Sequence, residues 1–469
     1  GTTTINLNDG NVIYLTHSNN TTIAFSNVPT STRVVISRTI TDNTITWPSD
    51  IIWSGGSAPT LIGASDIYEG AAQVFNLNTT DGGTTWYGWE IVNNSTKKSF
   101  KLFTWGHGYN GQNAQNNRTN YSSPTQVPGT NWHVLADSGA SVAYVGAATK
   151  SDGTLWIWGN PSEGGDFLGL LGQSNAIPGL YAMSSPIQIP GTNWADVQKG
   201  SKAFYATRTD GTLWAWGFNG RAVLGQNNKT NYSSPIQIPG TWAVGESKVA
   251  GGNEFAGAIK ADGTLWTWGL NNDGQLGHNN KTARSSPTQI PGTTWNTINA
   301  NGSIQILCTK TDGTLWAWGT NSSGNLGQNN RTDYSSPIQI PGTTWSSCGG
   351  GQSVLATKTD GTLWAWGSNT DYGLLGQNEG GSGSTRYSSP TQIPGTNWKQ
   401  GARAYFTTET SAGAVKTDGT LWTWGTNGAG QLGHNSRVSR SSPTQVPGTK
   451  WVSAASSYNT GSNYATQEV

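Results

Sequence analysis

The chain has 469 residues, a net charge of +1 at pH 7 and only 11% charged side chains. That balance argues against nucleic acid as a partner, and no apolar run approaches the roughly 20 residues of a membrane-spanning helix. Two cysteines are too few for a disulfide framework.

Short alternating runs come first: Thr22-Ile23-Ala24-Phe25, Arg33-Val34-Val35-Ile36 and Thr44-Ile45-Thr46-Trp47, with turn residues between them. Period-two alternation marks a half-buried strand. Residues 1–97 are therefore read as a small N-terminal β-sandwich for attachment or oligomerisation, ending in the polar linker Asn93 to Lys98. The chain opens at Gly1 rather than Met, which leaves a removed leader open.

From residue 98 to 469 the sequence repeats about every fifty residues. A Trp-Gly pair recurs at Trp105, Trp158, Trp216, Trp268, Trp318, Trp366 and Trp424, and a Ser-Ser-Pro run at Pro124, Pro186, Pro235, Pro287, Pro337, Pro390 and Pro443. A further tryptophan follows each Pro-Gly, from Trp132 to Trp451. Within a unit, strand a follows that tryptophan, b carries Ala-Thr-Lys, c is Leu-Trp-Xaa-Trp and d is Ser-Ser-Pro-Xaa-Gln. Asp210-Gly211 reads as a two-residue type I′ turn between b and c. Seven four-stranded units predict an all-β fold, a seven-bladed β-propeller. Because the last unit stops after a and b while residue 101 opens on c, the closing blade is assembled from both ends. All 24 Trp but Trp47, Trp53, Trp86 and Trp89 sit at repeat positions, where their first role is to fill a core poor in Leu and Ile.

Little reads as catalytic machinery. His17, His107, His133, His278 and His434 are scattered without ligand spacing, and no phosphate-cradling loop is present. The recurring Asp of the hairpin turn is structural, the cation beside it (Lys150, Arg208, Lys260, Lys310, Lys358, Lys416) neutralises it, and Cys308 and Cys348 read as small core residues. No enzyme activity, cofactor or metal is expected.

Binding has better support. In an up-and-down blade the a–b and c–d connections leave by one rim, and the Asp-Gly turns and Pro-Gly links by the other. The long connections at Asn160 to Met183, Ser368 to Tyr387, Asp137 to Val142, Gly245 to Glu254 and Gly401 to Ser411 are all assigned to the first rim. Rigid scaffolds carry variable tips at little folding cost. Candidate contacts are the aromatics Phe167, Tyr181, Tyr372, Tyr387, Tyr405 and Phe406, with a ring of cations four residues before Ser-Ser-Pro: Arg118, Lys229, Lys281, Arg331 and Arg437.

Asp-Gly-Thr-Leu-Trp-Xaa-Trp-Gly followed by Asn-Xaa-Xaa-Gly-Gln-Leu-Gly, as at Asn427 to Gly433, resembles the regulator of chromosome condensation (RCC1-like) repeat from about Phe100 to Val469. The resemblance implies a seven-bladed propeller and leaves the partner open. The family holds a nuclear guanine-nucleotide exchange factor, bacterial proteins and a β-lactamase-binding inhibitor. The first hundred residues, with Thr46-Trp47-Pro48 and Thr84-Thr85-Trp86-Tyr87-Gly88, resemble a bacteriophage tail-fibre module. Together these imply a non-enzymatic virion appendage, a candidate homo-oligomer, held by other virion structural proteins and recognising a host-surface glycan or protein. The alternatives are a secreted bacterial propeller that binds or inhibits another protein and, further off, an exchange or chromatin factor.

Overall fold

The computed structural model describes residues 2–7, 12–15, 21–28, 32–39, 45–53, 72–81, 84–93, 100–136, 144–161, 168–172, 183–300, 304–369, 373–379, 385–401, 403–408, 410–457 and 461–469. The chain divides into two compact units, Gly1–Ser99 and Phe100–Val469.

The alternating runs of the first unit become strands. Thr2–Asn6, Thr21–Ser26 and Ile45–Thr46 pair in parallel as one sheet. Val12–Leu15, Thr32–Thr39, Ala72–Thr79, Trp86–Asn93 and Ile51–Trp53 form a second. Ile23 and Ile45 from one sheet share a buried cluster with Val34, Ile36, Leu77 and Trp86 from the other, so the two layers make a β-sandwich.

Blade two shows the plan of the second unit. Trp194–Lys199, Ala203–Arg208, Leu213–Gly217 and Tyr232–Ile238 pair antiparallel in the order a-b-c-d. The b–c turn is longer by one residue than the expected type I′ turn. The Gly211 N–H donates to Arg208 O and the Arg208 N–H to Thr212 O, closing a three-residue loop in which only Gly211 has positive φ (+79). A type I turn ending in a left-handed glycine has this form. Asp210 Oδ1 accepts from Thr212 Oγ1 at 2.6 Å and Thr212 N at 2.9 Å, and these bonds hold its carboxyl below the usual range. The neighbouring cation does more than neutralise. Arg208 lies 4.5 and 4.3 Å from the ring centroids of Trp194 and Trp214, its field on Asp210 being a lesser effect. Lys150, Lys260, Lys310, Lys358 and Lys416 stack on paired indoles in the same way.

Blades one to six run in chain order, and the seventh joins Trp451–Ser457 and Ser462–Glu468 to Phe100–Gly106 and Tyr121–Gln126. Its inner pairing runs from Ser462↔Gly106 to Glu468↔Phe100. Strand a of each blade touches strand a of the next, the first and seventh included, so the ring is closed with the a strands innermost.

Two repeated contacts explain the sequence landmarks. The second tryptophan of every c strand donates its indole N–H to a carbonyl in the preceding blade's c–d loop: Trp105 to Gln431, Trp158 to Gln112, Trp216 to Leu170, Trp268 to Val223, Trp318 to Gln275, Trp366 to Asn325 and Trp424 to Leu374. An asparagine at positive φ, such as Asn227 (+54), donates its backbone N–H to the Ser-Ser segment of the following blade, here Ser285 O at 2.9 Å. We expect Trp318→Phe to keep the ring's shape yet cost about 1–3 kcal/mol, because Gln275 O is left buried without its donor. Urea unfolding measures this, and an unchanged midpoint would deny the latch any weight.

Cys308 and Cys348 are free and buried in adjacent core clusters. Burial pushes both thiols up, Cys348 to about 12. The histidines that stand where other repeats have glutamine also pack structurally. His278 Nε2 lies 3.1 Å from Thr267 Oγ1, and His434 Nε2 2.9 Å from Thr423 Oγ1.

Candidate partner-binding rim

Hydrogen bonds sort the connections onto two rims. On one, the start of each c–d loop is tied to the a–b connection, as in Phe218 N to Lys202 O, Leu270 N to Glu254 O and Thr426 N to Thr410 O. On the other, the Asp-Gly turn is tied to the Pro-Gly link, as in Trp194 N to Gly153 O and Ser151 N to Asn131 O. The second rim is uniform, because stacked cations and aspartate-capped turns fill it in six blades. The first carries the differences between blades. In blade five its c–d insertion rises on two extra ladder pairs, Ser368↔Arg386 and Asn369↔Thr385.

The cation ring sits in the c–d loops, with Arg118, Lys229, Lys281, Arg331 and Arg437 all exposed. Phe167, Tyr181 and Tyr372 lie outside the described residues, as do residues 137–143 of blade one. Tyr387 is half-buried against the clusters that blade five shares with blades four and six. A hydrogen bond to Glu379 pushes its hydroxyl up. Tyr405 and Phe406, expected on an exposed tip, are each 2% exposed. They belong to strand a of blade six, Tyr405–Thr407, and point into opposite interblade cores.

The reason is that two of the presumed rim insertions are bulges inside strand a. In blade six, Trp398 pairs with Lys416 and Lys399 N donates to Val415 O, while Val415 N donates to Ala404 O, so Gln400, Gly401 and Arg403 are looped out. In blade three, Ala243 N donates to Ile259 O and Ile259 N to Lys248 O, which loops out residues 244–247. The a–b turn that follows is tight, with Gly252 N bonded to Phe255 O. Both bulges face the axis, where they meet. Arg403 donates Nε–H to Leu135 O of blade one at 2.6 Å, pairs through Nη2 with Asp196 of blade two and lies 3.6 Å from Glu246 of blade three. Burial pushes the Asp196 carboxyl up, with the guanidinium pulling against it.

Lys199, also buried, donates to Val145 O at 3.1 Å, and burial brings its ammonium down to about 7. Below that pH the lysine is charged in both folded and unfolded chains, and the full burial penalty applies. Between about 7 and the ordinary 10.5 the unfolded chain holds the extra proton, so stability rises with pH. Lys199→Met is expected to be more stable than the wild type at pH 6–7, with the advantage shrinking toward pH 10. Melting curves across that range measure it, and a constant difference would disprove the shift.

A recess on the variable rim lies between blades six and seven. It has a volume of about 390 Å³ and is walled by His107, Tyr109, Asn120, Thr410, Gly428 and Arg437, with no acidic residue among the described residues that line it. Tyr109 is 64% exposed, and burial lowers the proton affinity of His107. Tyr109 and Gly428 went unremarked in the sequence, although Tyr109 stands where other repeats have Gly220, Asn272 and Ser322. Among the described residues no group of three or more His, Cys, Asp or Glu could hold a metal ion, and no helix is long and apolar enough to cross a membrane.

The geometry agrees with the similarities. The RCC1-like domain model matches residues 101–465. The chain belongs to the RCC1-like domain family. It is 28% identical over 190 residues to the mitochondrial RCC1 domain-containing protein RUG3 of Arabidopsis thaliana, and 26% identical over the same length to the ultraviolet-B receptor UVR8 of that plant. Each match spans 40% of this chain and 42% of the relative, so this chain matches less than half the length of either. The ubiquitin ligase HERC2 of Homo sapiens is 27% identical over 44% of this chain, which is 4% of that protein. Human WBSCR16 superposes with a TM-score of 0.64 at 18% identity, covering 79% of this chain and all of its own. Prp20p of Saccharomyces cerevisiae, solved in work on its binding to Gsp1p and histones, superposes at 0.66 and 17% identity, covering 79% and 92%. These RCC1-like relatives correct the expected location. They include a mitochondrial plant protein and yeast RCC1 bound to Kap60, and none is a virion or secreted protein. The family match begins at residue 101, beyond the unit whose wording suggested a tail fibre.

Proposed function

We propose that this propeller is a protein-binding platform rather than an enzyme, and that partners dock on the rim formed by its a–b and c–d connections. The observation that carries this reading is the division of labour between the rims. One is packed with repeated Trp–cation stacks in six blades, while the other holds the differences between blades, the exposed cations and the recess between blades six and seven. A closed ring fixes the anchor points of such loops, which lowers the ordering cost of binding. Binding of Gsp1p and histones by Prp20p, and the Kap60 complex of yeast RCC1, favour protein over glycan as the partner class.

Hydrogen exchange on a complex formed by the full chain tests the proposal. Protection is expected in residues 107–120, 320–333 and 426–439, and replacing all five ring cations by Gln should weaken capture at least tenfold. Protection confined to the Asp-Gly turns would refute it.

A further inference from the structure

The recess between blades six and seven is flanked on both sides by the same position of the repeat. The second residue of the c–d motif is Asn272 in blade three and Ser322 in blade four, but glycine in blades two (Gly220) and six (Gly428) and Tyr109 in blade seven. A Cβ built on Gly428 meets nothing within 4 Å, and its φ lies outside the left-handed region, so this glycine is required neither by its backbone nor by a close neighbour. What its missing side chain leaves is room. Gly430, two residues on, contrasts with it. At φ +83 a Cβ there would meet the Ser122 Cα at 2.6 Å, so that glycine serves the latch between blades.

The floor and walls of the recess are held firmly. Gln431 O accepts from the indole of Trp105 at 2.8 Å and from Asn463 Nδ2 at 2.6 Å, and Gln431 Oε1 accepts from Ala429 N at 2.9 Å. The His107 N–H donates to Gly461 O, His107 O accepts from Ser462 Oγ at 2.6 Å, and the Gly108 N–H is held by Asn120 Oδ1 at 2.8 Å. The Tyr109 ring, 64% exposed, and the Arg437 guanidinium face solvent at the mouth. Arg437 is the only charged residue among the described residues of the lining. The recess is thus preformed, carries one cation and no acid among its described lining residues, and has an aromatic face for an aliphatic stem.

Resting on the platform reading above, we infer that this recess captures an acidic side chain, Asp or Glu, projecting from an extended segment of the partner polypeptide. The carboxylate pairs with Arg437, whose planar fork suits bidentate contact. Its stem lies against Tyr109, in space that Gly428 leaves vacant. A volume of about 390 Å³ admits one such side chain with water and is smaller than a folded surface needs, so a flexible segment is the fitting occupant.

The test is selection of random dodecapeptides on the full chain, followed by fluorescence anisotropy with the selected peptides. The selected set is expected to be enriched in Asp and Glu. Arg437→Gln and Gly428→Leu should each weaken their binding at least tenfold, Gly428→Leu by filling the recess without altering charge. Lys450→Gln on the opposite rim should leave binding unchanged, and replacing the peptide's acidic residue by its amide should match the Arg437→Gln loss. Melting curves of the variants confirm folding. Peptides that protect other loops of the same rim in hydrogen exchange, and ignore both recess substitutions, would overturn the carboxylate site while sparing the platform. Peptides that protect no rim loop would overturn both.

Discussion

Removing residues 462–469 is expected to abolish cooperative folding of the propeller. That segment is the central strand b of blade seven, paired on one side with Trp451–Ser457 and on the other with Phe100–Gly106. Asn463, Tyr464, Ala465 and Thr466 are all buried, and Tyr464 packs against Trp158 of blade one. Without the strand, two sheet edges and the cores of blades six, seven and one open to water. Each lost ladder bond is worth about 0.5–1.5 kcal/mol and each buried apolar side chain about 1.5–3. Together these rival the whole stability of a domain, about 5–15 kcal/mol. The readouts are a broad, non-cooperative circular dichroism melt, red-shifted tryptophan emission and early elution on size exclusion. A synthetic peptide of residues 461–469 added in trans should restore the sharp melt. A truncated chain that melts like the full one would mean that ring closure contributes nothing to stability.

The second large effect is at the axis. Arg403→Met strands Asp196, whose side chain is 5% exposed, and removes the donor to Leu135 O. Breaking one side of a buried ion pair costs about 3–5 kcal/mol, whereas replacing both by apolar groups is often neutral. We therefore expect Arg403→Met to lose stability of that order and Arg403→Met/Asp196→Leu to recover most of it. Glu246 sits at the exposed end, 54% accessible, and tolerates either change. The pH dependence follows from the push of burial on Asp196, which Arg403 no longer opposes in the single variant. A carboxyl raised in the folded state adds stability below its unfolded value and loses it as pH climbs through the folded one. The single variant should then recover stability on acidification and the double variant should not. Equal losses in both, at every pH, would show that Arg403 acts through packing alone.

The contrast between Trp318 and Arg403 shows what the sequence could disclose. Trp318 belongs to a set of seven, and a position repeated seven times announces a contact made seven times. Strand order, blade number and the split closing blade all follow from such positions, because neighbouring blades offer each residue the same surroundings. The Asp-Gly turn was legible as a turn yet not as a three-residue one, since its length depends on which backbone groups pair across it. Tyr405 and Phe406 were misplaced for a related reason. An insertion at Gly401 can lengthen a rim loop or bulge an inner strand, and both have the same spacing between tryptophans.

Local chemistry thus wrote the repeat, the strands and the indole core directly into the chain, because each depends on residues within about fifty positions or on an identical neighbour. Closure alone brought Arg403 to Asp196, 207 positions away, and set Tyr109 beside Gly428 across the seam between the two ends of the chain. Contacts made once, between segments with no shared period, leave no pattern along the sequence. Only the circle of blades puts them within reach of each other.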